Sequence, residues 1–122
     1  MGKKQILESL AKFEDLDGFK SVALVDARSG MILGKIGQAN ATMDITAAAH
    51  TELVRSKRRS LEEIGLGEPL EEILISLDTE LHLLRPTRSR ASTFLFLTLE
   101  REYANMALAR IEFAELEEGF VF

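Results

Sequence analysis

Cysteine is absent from the chain, and that one absence excludes disulfides, thiolate nucleophiles and Cys-based metal sites together. A domain without such staples fits a reducing compartment at least as well as an oxidising one, and the chain is read as cytoplasmic. Histidine is scarce as well, with only His50 and His82. Thr46 and Val54 stand four residues either side of His50, so no His-x-x-x-His or Glu-x-x-His pair exists at ligand spacing. His50 reads as a packing or interface residue on a helix, and His82 as a half-exposed strand residue with a hydrogen-bond partner. Neither a metal nor a cofactor is expected.

Phosphate-cradling loops are missing too. Gly30, Gly34, Gly37, Gly65 and Gly67 are isolated punctuation, and no Gly-x-x-x-x-Gly-Lys or Gly-x-Gly-x-x-Gly run occurs, so the chain is not expected to bind GTP itself. The adjacent carboxylates Glu62-Glu63 and Glu71-Glu72 point apart on a helix or strand, which makes them solvated charge and not an acid–base pair. With no catalytic constellation, the chain reads as a non-enzyme. No segment approaches the roughly 20 apolar residues of a membrane span, and the basic start MGKKQILESL lacks the apolar core of a signal peptide. Neither export nor membrane insertion is expected. The net charge of −5 argues against nucleic acid, whose phosphates require a basic surface. Positive charge is nonetheless clustered, at Arg55, Lys57, Arg58 and Arg59 and again at Arg85, Arg88 and Arg90, while Glu112, Glu115, Glu117 and Glu118 load the carboxyl end.

What the sequence has is pattern. At 122 residues and 46% hydrophobic content it is one domain over 1–122, large enough for a single core. Residues 18–34, GFKSVALVDARSGMILG, read as two strands around a tight turn. Residues 21–26 are apolar on both faces, Gly30 supplies the positive φ that closes the turn, and Met31-Ile32-Leu33 resumes the apolar run. Apolarity on both faces requires a helical layer on each side of the sheet, hence a three-layer sandwich. Before this hairpin, Ile6, Leu7, Leu10, Ala11 and Phe13 recur at helical spacing over 3–15. After it, residues 37–40 form a loop, and 42–64 lacks Gly and Pro and forms the long central helix, opened by Ala47-Ala48-Ala49. Gly65, Gly67 and Pro69 stop that helix. Residues 70–77 then form an edge strand, Asp78-Thr79-Glu80 a hairpin turn, 81–85 and 92–99 two more strands, and 101–117 a final helix. In the last strand Phe94 and Phe96 share one face and Leu95, Leu97 and Leu99 the other, which makes it central. The tail aromatics Phe120 and Phe122 are expected to pack on a neighbouring face or to form a short partner-binding peptide.

The order αββαβββα, with GFKSVALVDARSGMILG, the Ala47-Ala48-Ala49 stretch, IGLGEPLEEILI and FLFLTLEREYANMALAR, resembles the Roadblock/dynein light chain family nearly end to end. The resemblance implies a profilin-like α+β sandwich: a five-stranded, mostly antiparallel sheet with the long helix on one face and the two terminal helices on the other. It further implies a homodimer, or a pairing with a paralogue, in which long helices pack side by side and edge strands join two sheets into one. An exposed edge strand is a liability that such isologous pairing would cover. The interface residues implied are Ala47, Ala48, Thr51, Val54 and Arg55 of the helix and Ile73, Leu74 and Ile75 of the strand. Members of the family scaffold or regulate Ras-like small GTPases, so the resemblance implies such a partner. Arg58, Arg85, Arg88 and Arg90 are candidate partner contacts, because a guanidinium supplied in trans stabilises transferring phosphoryl charge. Two other readings stand beside this one: a ligand-sensing profilin- or PAS-like domain with a pocket between sheet and long helix, and a structural subunit of a motor or cytoskeletal complex.

Overall fold

The computed structural model describes residues 2–38, 42–88 and 92–119; Arg90 and the tail aromatics lie outside them. Helix α1 (Lys3–Ala11) tightens into a 3-10 turn (Lys12–Asp15), followed by β1 (Phe19–Asp26), β2 (Ile32–Gly37), α2 (Met43–Glu63), β3 (Ile73–Ser76), β4 (Glu80–Pro86), β5 (Thr93–Glu100) and α3 (Met106–Gly119). The strands form one five-stranded sheet in the order β2-β1-β5-β4-β3, and every neighbouring pair is antiparallel.

Side chains of a strand alternate between faces, and the two cores follow from that alternation. Val22 and Leu24 of β1 and Leu95, Leu97 and Leu99 of β5 join Ile6, Leu10 and Phe13 of the first helical segment and Ala109, Phe113 and Leu116 of α3. Ala23 and Val25 with Phe94 and Phe96 join Met43, Ala47 and Val54 of α2 on the opposite face. The three-layer sandwich and the central β5 are thus as the sequence implies. Glycine matters at two points. Gly30 closes the β1–β2 turn at φ 79°, and a Cβ on Gly34 would lie 2.9 Å from Ile6 Cγ2, so its bare backbone lets α1 rest directly on β2.

Two elements differ from the sequence reading. The last helix begins at Met106 and not at 101, because the Asn105 side chain accepts the Leu108 N–H (3.2 Å) and its carbonyl accepts the Ala109 N–H (3.1 Å), the signature of an N-cap. Residues 101–104 are spent in a turn, in which the Arg101 N–H donates to the Thr79 carbonyl (2.9 Å). Strand β3 keeps only four residues of the eight expected, because 70–72 serves another purpose. Glu72 accepts a bidentate contact from Arg110 of α3 (Nε 3.0 Å, Nη2 2.7 Å) and a second arginine, Arg85, lies 3.5 Å away. Arg85 also donates to Glu71 (3.2 Å) and lies 4.4 Å over the Phe113 ring. Arg110, first, holds the Glu72 carboxyl below its ordinary range. This network fastens the approach to β3 onto α3. Glu72→Gln is expected to lower stability by about 1–2 kcal/mol, since it removes a charge shared by two arginines at a mostly covered site; urea unfolding of the two proteins at neutral pH measures it.

Candidate interaction surface

Among the described residues β3 has a sheet neighbour on one side only. Across its turn the Leu77 N–H donates to the Glu80 carbonyl (2.8 Å), and facing residues of an antiparallel ladder alternate between hydrogen-bonded and non-hydrogen-bonded pairs. Counted back through Ser76↔Leu81, Ile75↔His82, Leu74↔Leu83 and Ile73↔Leu84, the ladder bonds fall at Ile75 and Ile73. The backbone groups of Leu74 and Ser76 therefore point outward, as a free template for another strand. The opposite edge, β2, is broken up by Gly34, Lys35 and Gly37, and glycine and exposed lysine both discourage strand addition. Leu74 is 41% exposed, whereas Ile73 and Ile75 are partly buried against the α2-side core.

The helix half of the expected interface divides in two. Ala47, Thr51 and Val54 cannot be surface residues: they are 0%, 3% and 0% exposed and belong, with Met43, to the stripe that α2 lays on its own sheet. Thr51 satisfies its hydroxyl within the helix, donating to the Ala47 carbonyl (2.8 Å). Ala48 and Arg55 are exposed. Ala48 is small for a local reason as well, since its Cα is only 3.5 Å from where a Cβ on Gly30 would sit. Arg55 pairs loosely with Glu52 (3.5 Å) on the helix surface. The outward apolar stripe that sequence reasoning missed is Ile45, Ala49 and Leu53. Ile45 is 71% and Leu53 39% exposed, and their four-residue spacing, opposite the inward stripe, is the signal that could have found them.

The arginines separate likewise. Arg85 is committed to Glu71, Glu72 and Phe113, with its side chain 12% exposed, so it is unavailable to a partner. Arg58 and Arg88 line an open groove of about 780 Å3 between the carboxyl half of α2 and the end of β4. Arg90 lies outside the described residues.

No protein-family model and no curated protein matches the sequence, but solved structures match the fold. A Roadblock/LC7 domain from Streptomyces avermitilis superposes with a TM-score of 0.80 over 92% of this chain and 91% of that one, at 19% identity. The chain has the Roadblock/LC7 fold. MglB from Myxococcus xanthus is similar at a TM-score of 0.81 and 17% identity, covering 95% of this chain and 84% of that one. An MglB with a tetrameric arrangement is similar at 0.78 and 14%, with 95% and 84% covered.

Between the sheet and α2 of this Roadblock/LC7 fold lies a cavity of about 150 Å3, bordered by Lys20, Thr46, Glu80, His82 and Phe96, well below the roughly 300–1,000 Å3 of small-molecule sites. Lys20 and Glu80 form an ion pair across it, and His82 Nε2 lies 3.1 Å from Glu80 Oε1. Lys20, then His82, hold the Glu80 carboxyl below its ordinary range. His50 packs edge-on against Phe96 (centroids 4.6 Å) and His82 (5.6 Å), and its Nε2 is buried with no hydrogen-bond partner among the described residues. Burial, followed by the neighbouring His82, pushes the His50 pKa down to about 4. No group of His, Asp or Glu among the described residues is placed to hold a metal, and no helix among them is long and apolar enough to cross a membrane.

A pH dependence follows. Between pH 6.5 and about 4 the unfolded chain takes up a proton at this position that the folded chain refuses, so stability falls as pH falls through that window. The ring is only partly covered, so the expected loss is about 1–2 kcal/mol, less than the full shift implies. Urea midpoints measured from pH 7 to pH 4 for the wild type and His50→Phe isolate it: the difference between the two proteins should change with pH in this direction.

Proposed function

We propose that this chain is a non-enzymatic, cytoplasmic interaction module. It pairs with a second copy, or with a paralogue of the same fold, through β3 and the outward face of α2. The pair binds a Ras-like small GTPase, which it regulates or scaffolds. The observation that carries the reading is the coincidence of a free strand edge at Leu74 and Ser76 with an exposed apolar stripe at Ile45, Ala49 and Leu53 on α2. Both features need a partner, and a two-fold pairing would satisfy both in one assembly. The fold and the sequence resemblance to Roadblock proteins support the same assembly and supply the class of partner. Arg55 and Arg58, on the long helix, are the candidates for contact with phosphoryl charge.

Purified chain used as bait in lysate with GDP or a non-hydrolysable GTP analogue tests the partner. Retention of a Ras-like GTPase mainly in one nucleotide condition is expected. Retention of partners indifferent to the nucleotide would instead favour a structural subunit of a larger complex.

A further inference from the structure

Helix α3 is apolar on both sides. Ala109, Phe113 and Leu116 are its buried side, in the core that the first helical segment also covers. At about 100° per residue, Ala107, Leu108, Ala114, Glu115 and Glu118 all fall within about 60° of Ile111, on the side turned away from that core. All six are exposed, Leu108 at 46% and Ile111 at 54%. A surface helix ordinarily carries polar residues on this side, yet the outward positions from 107 to 114 are all apolar. The stripe lies on the face of the sheet opposite α2, so it is separate from the α2 half of the pairing surface.

The charge beside the stripe points to the chemistry of what covers it. Glu115 and Glu118 follow it toward the end of α3, a last turn that holds no basic residue, although the helix dipole disfavours carboxylates there. Glu112 stands at its flank. Burial, then Glu115, push the Glu112 carboxyl above its ordinary range, with Lys12 opposing the rise and Asp15 adding to it. None of Asp15, Glu112, Glu115 and Glu118 forms an ion pair among the described residues. Apolar surface beside uncompensated negative charge is complementary to apolar surface beside positive charge. A second copy's α3 would bring the same carboxylates into the contact, and an anionic lipid surface would repel them. Ala107 and Ala114, two turns apart, leave room for the side-chain ridge of another helix between the larger residues of the stripe.

We propose that the outer face of α3 is a docking site for a partner protein's helix, one whose apolar stripe is flanked by lysine or arginine. Leu108 and Ile111 hold the stripe, and Glu112, Glu115 and Glu118 select the basic flank. This assignment does not depend on the GTPase partner.

Two synthetic peptides of about 18 residues, long enough to hold a helix, test it. Both carry a leucine stripe, flanked in one by lysine and in the other by glutamate. In methyl NMR of the full chain the lysine peptide should shift Leu108 and Ile111, while Ile45 and Leu53 of α2 and the core methyls of Leu24 and Leu95 stay in place. Leu108→Ser/Ile111→Ser, at exposed positions, should weaken its binding about tenfold or more. Glu112→Gln/Glu115→Gln should remove the preference for the lysine peptide over the glutamate one. A lysine peptide that leaves Leu108 and Ile111 unmoved, or a glutamate peptide that binds equally well, would overturn the proposal. So would shifts of these methyls that grow with protein concentration in the absence of peptide, since a second copy would then cover the face.

Discussion

If the chain pairs through β3 as proposed, Leu74→Pro should convert it from dimer to monomer without unfolding it. The outward backbone at position 74 faces away from β4, so proline removes no bond of the chain's own ladder (register Leu74↔Leu83). The fixed φ of proline and its bias on the preceding residue both suit an extended edge strand. In a two-fold pairing the substitution acts twice. Each copy loses an N–H donor and leaves a carbonyl of its partner unsatisfied, at about 1–3 kcal/mol apiece. The sum is about 2–6 kcal/mol, about thirtyfold or more in the dimer Kd. Sedimentation over a concentration series reads the change, and circular dichroism checks the fold. Ile75→Pro is the contrast: it sits at a ladder position and should destabilise the chain itself. A Leu74→Pro protein that stays dimeric would remove β3 from the interface and leave the α2 face to account for it.

Strand alternation, which makes position 74 an outward one, also sets how far the sequence was legible. Alternation is strictly local, so the two faces of β5, the hairpin at Gly30 and the edge position of β3 could all be read from neighbouring residues. The orientation of α2 was harder. Ala47-Ala48-Ala49 announces close packing without saying on which side, and three small residues in a row span most of the helix circumference. The structure turns Ala47 to the sheet with Met43, Thr51 and Val54 and leaves Ala48 outward. The expected interface was therefore half core. Arg85 was misread for a different reason. Its partners Glu71 and Glu72 and the ring of Phe113 come from distant parts of the chain, and no local pattern marks a surface-looking arginine as covered. The start of α3 was missed because Arg101 to Tyr103 are acceptable helix formers, and only the Asn105 cap separates turn from helix.

Phe94→Ala should bring the largest loss of stability, about 3–5 kcal/mol. Phe94 is 0% exposed on a strand bonded on both sides, facing Val25 across β1 and Pro86 across β4. Its ring belongs to the core beneath α2, with Ala23, Ala47 and Val54. The cluster, which also holds Met43, Leu84 and Phe96, is carried on the sheet and on α2, whose backbones close only in part on the space left, so a cavity remains. Phe94→Leu, which keeps most of the volume, should cost about 1–2 kcal/mol, and the pair of urea midpoints distinguishes cavity formation from a general intolerance of change. The loss reaches the interaction surface because Phe94 lies beneath the helix whose outer face carries Ile45, Ala49 and Leu53. If α2 pairs with a second copy, Phe94→Ala should weaken dimerisation along with folding. Leu74→Pro should weaken dimerisation alone. That separation of the two effects distinguishes a surface that binds from the layer that holds it in place.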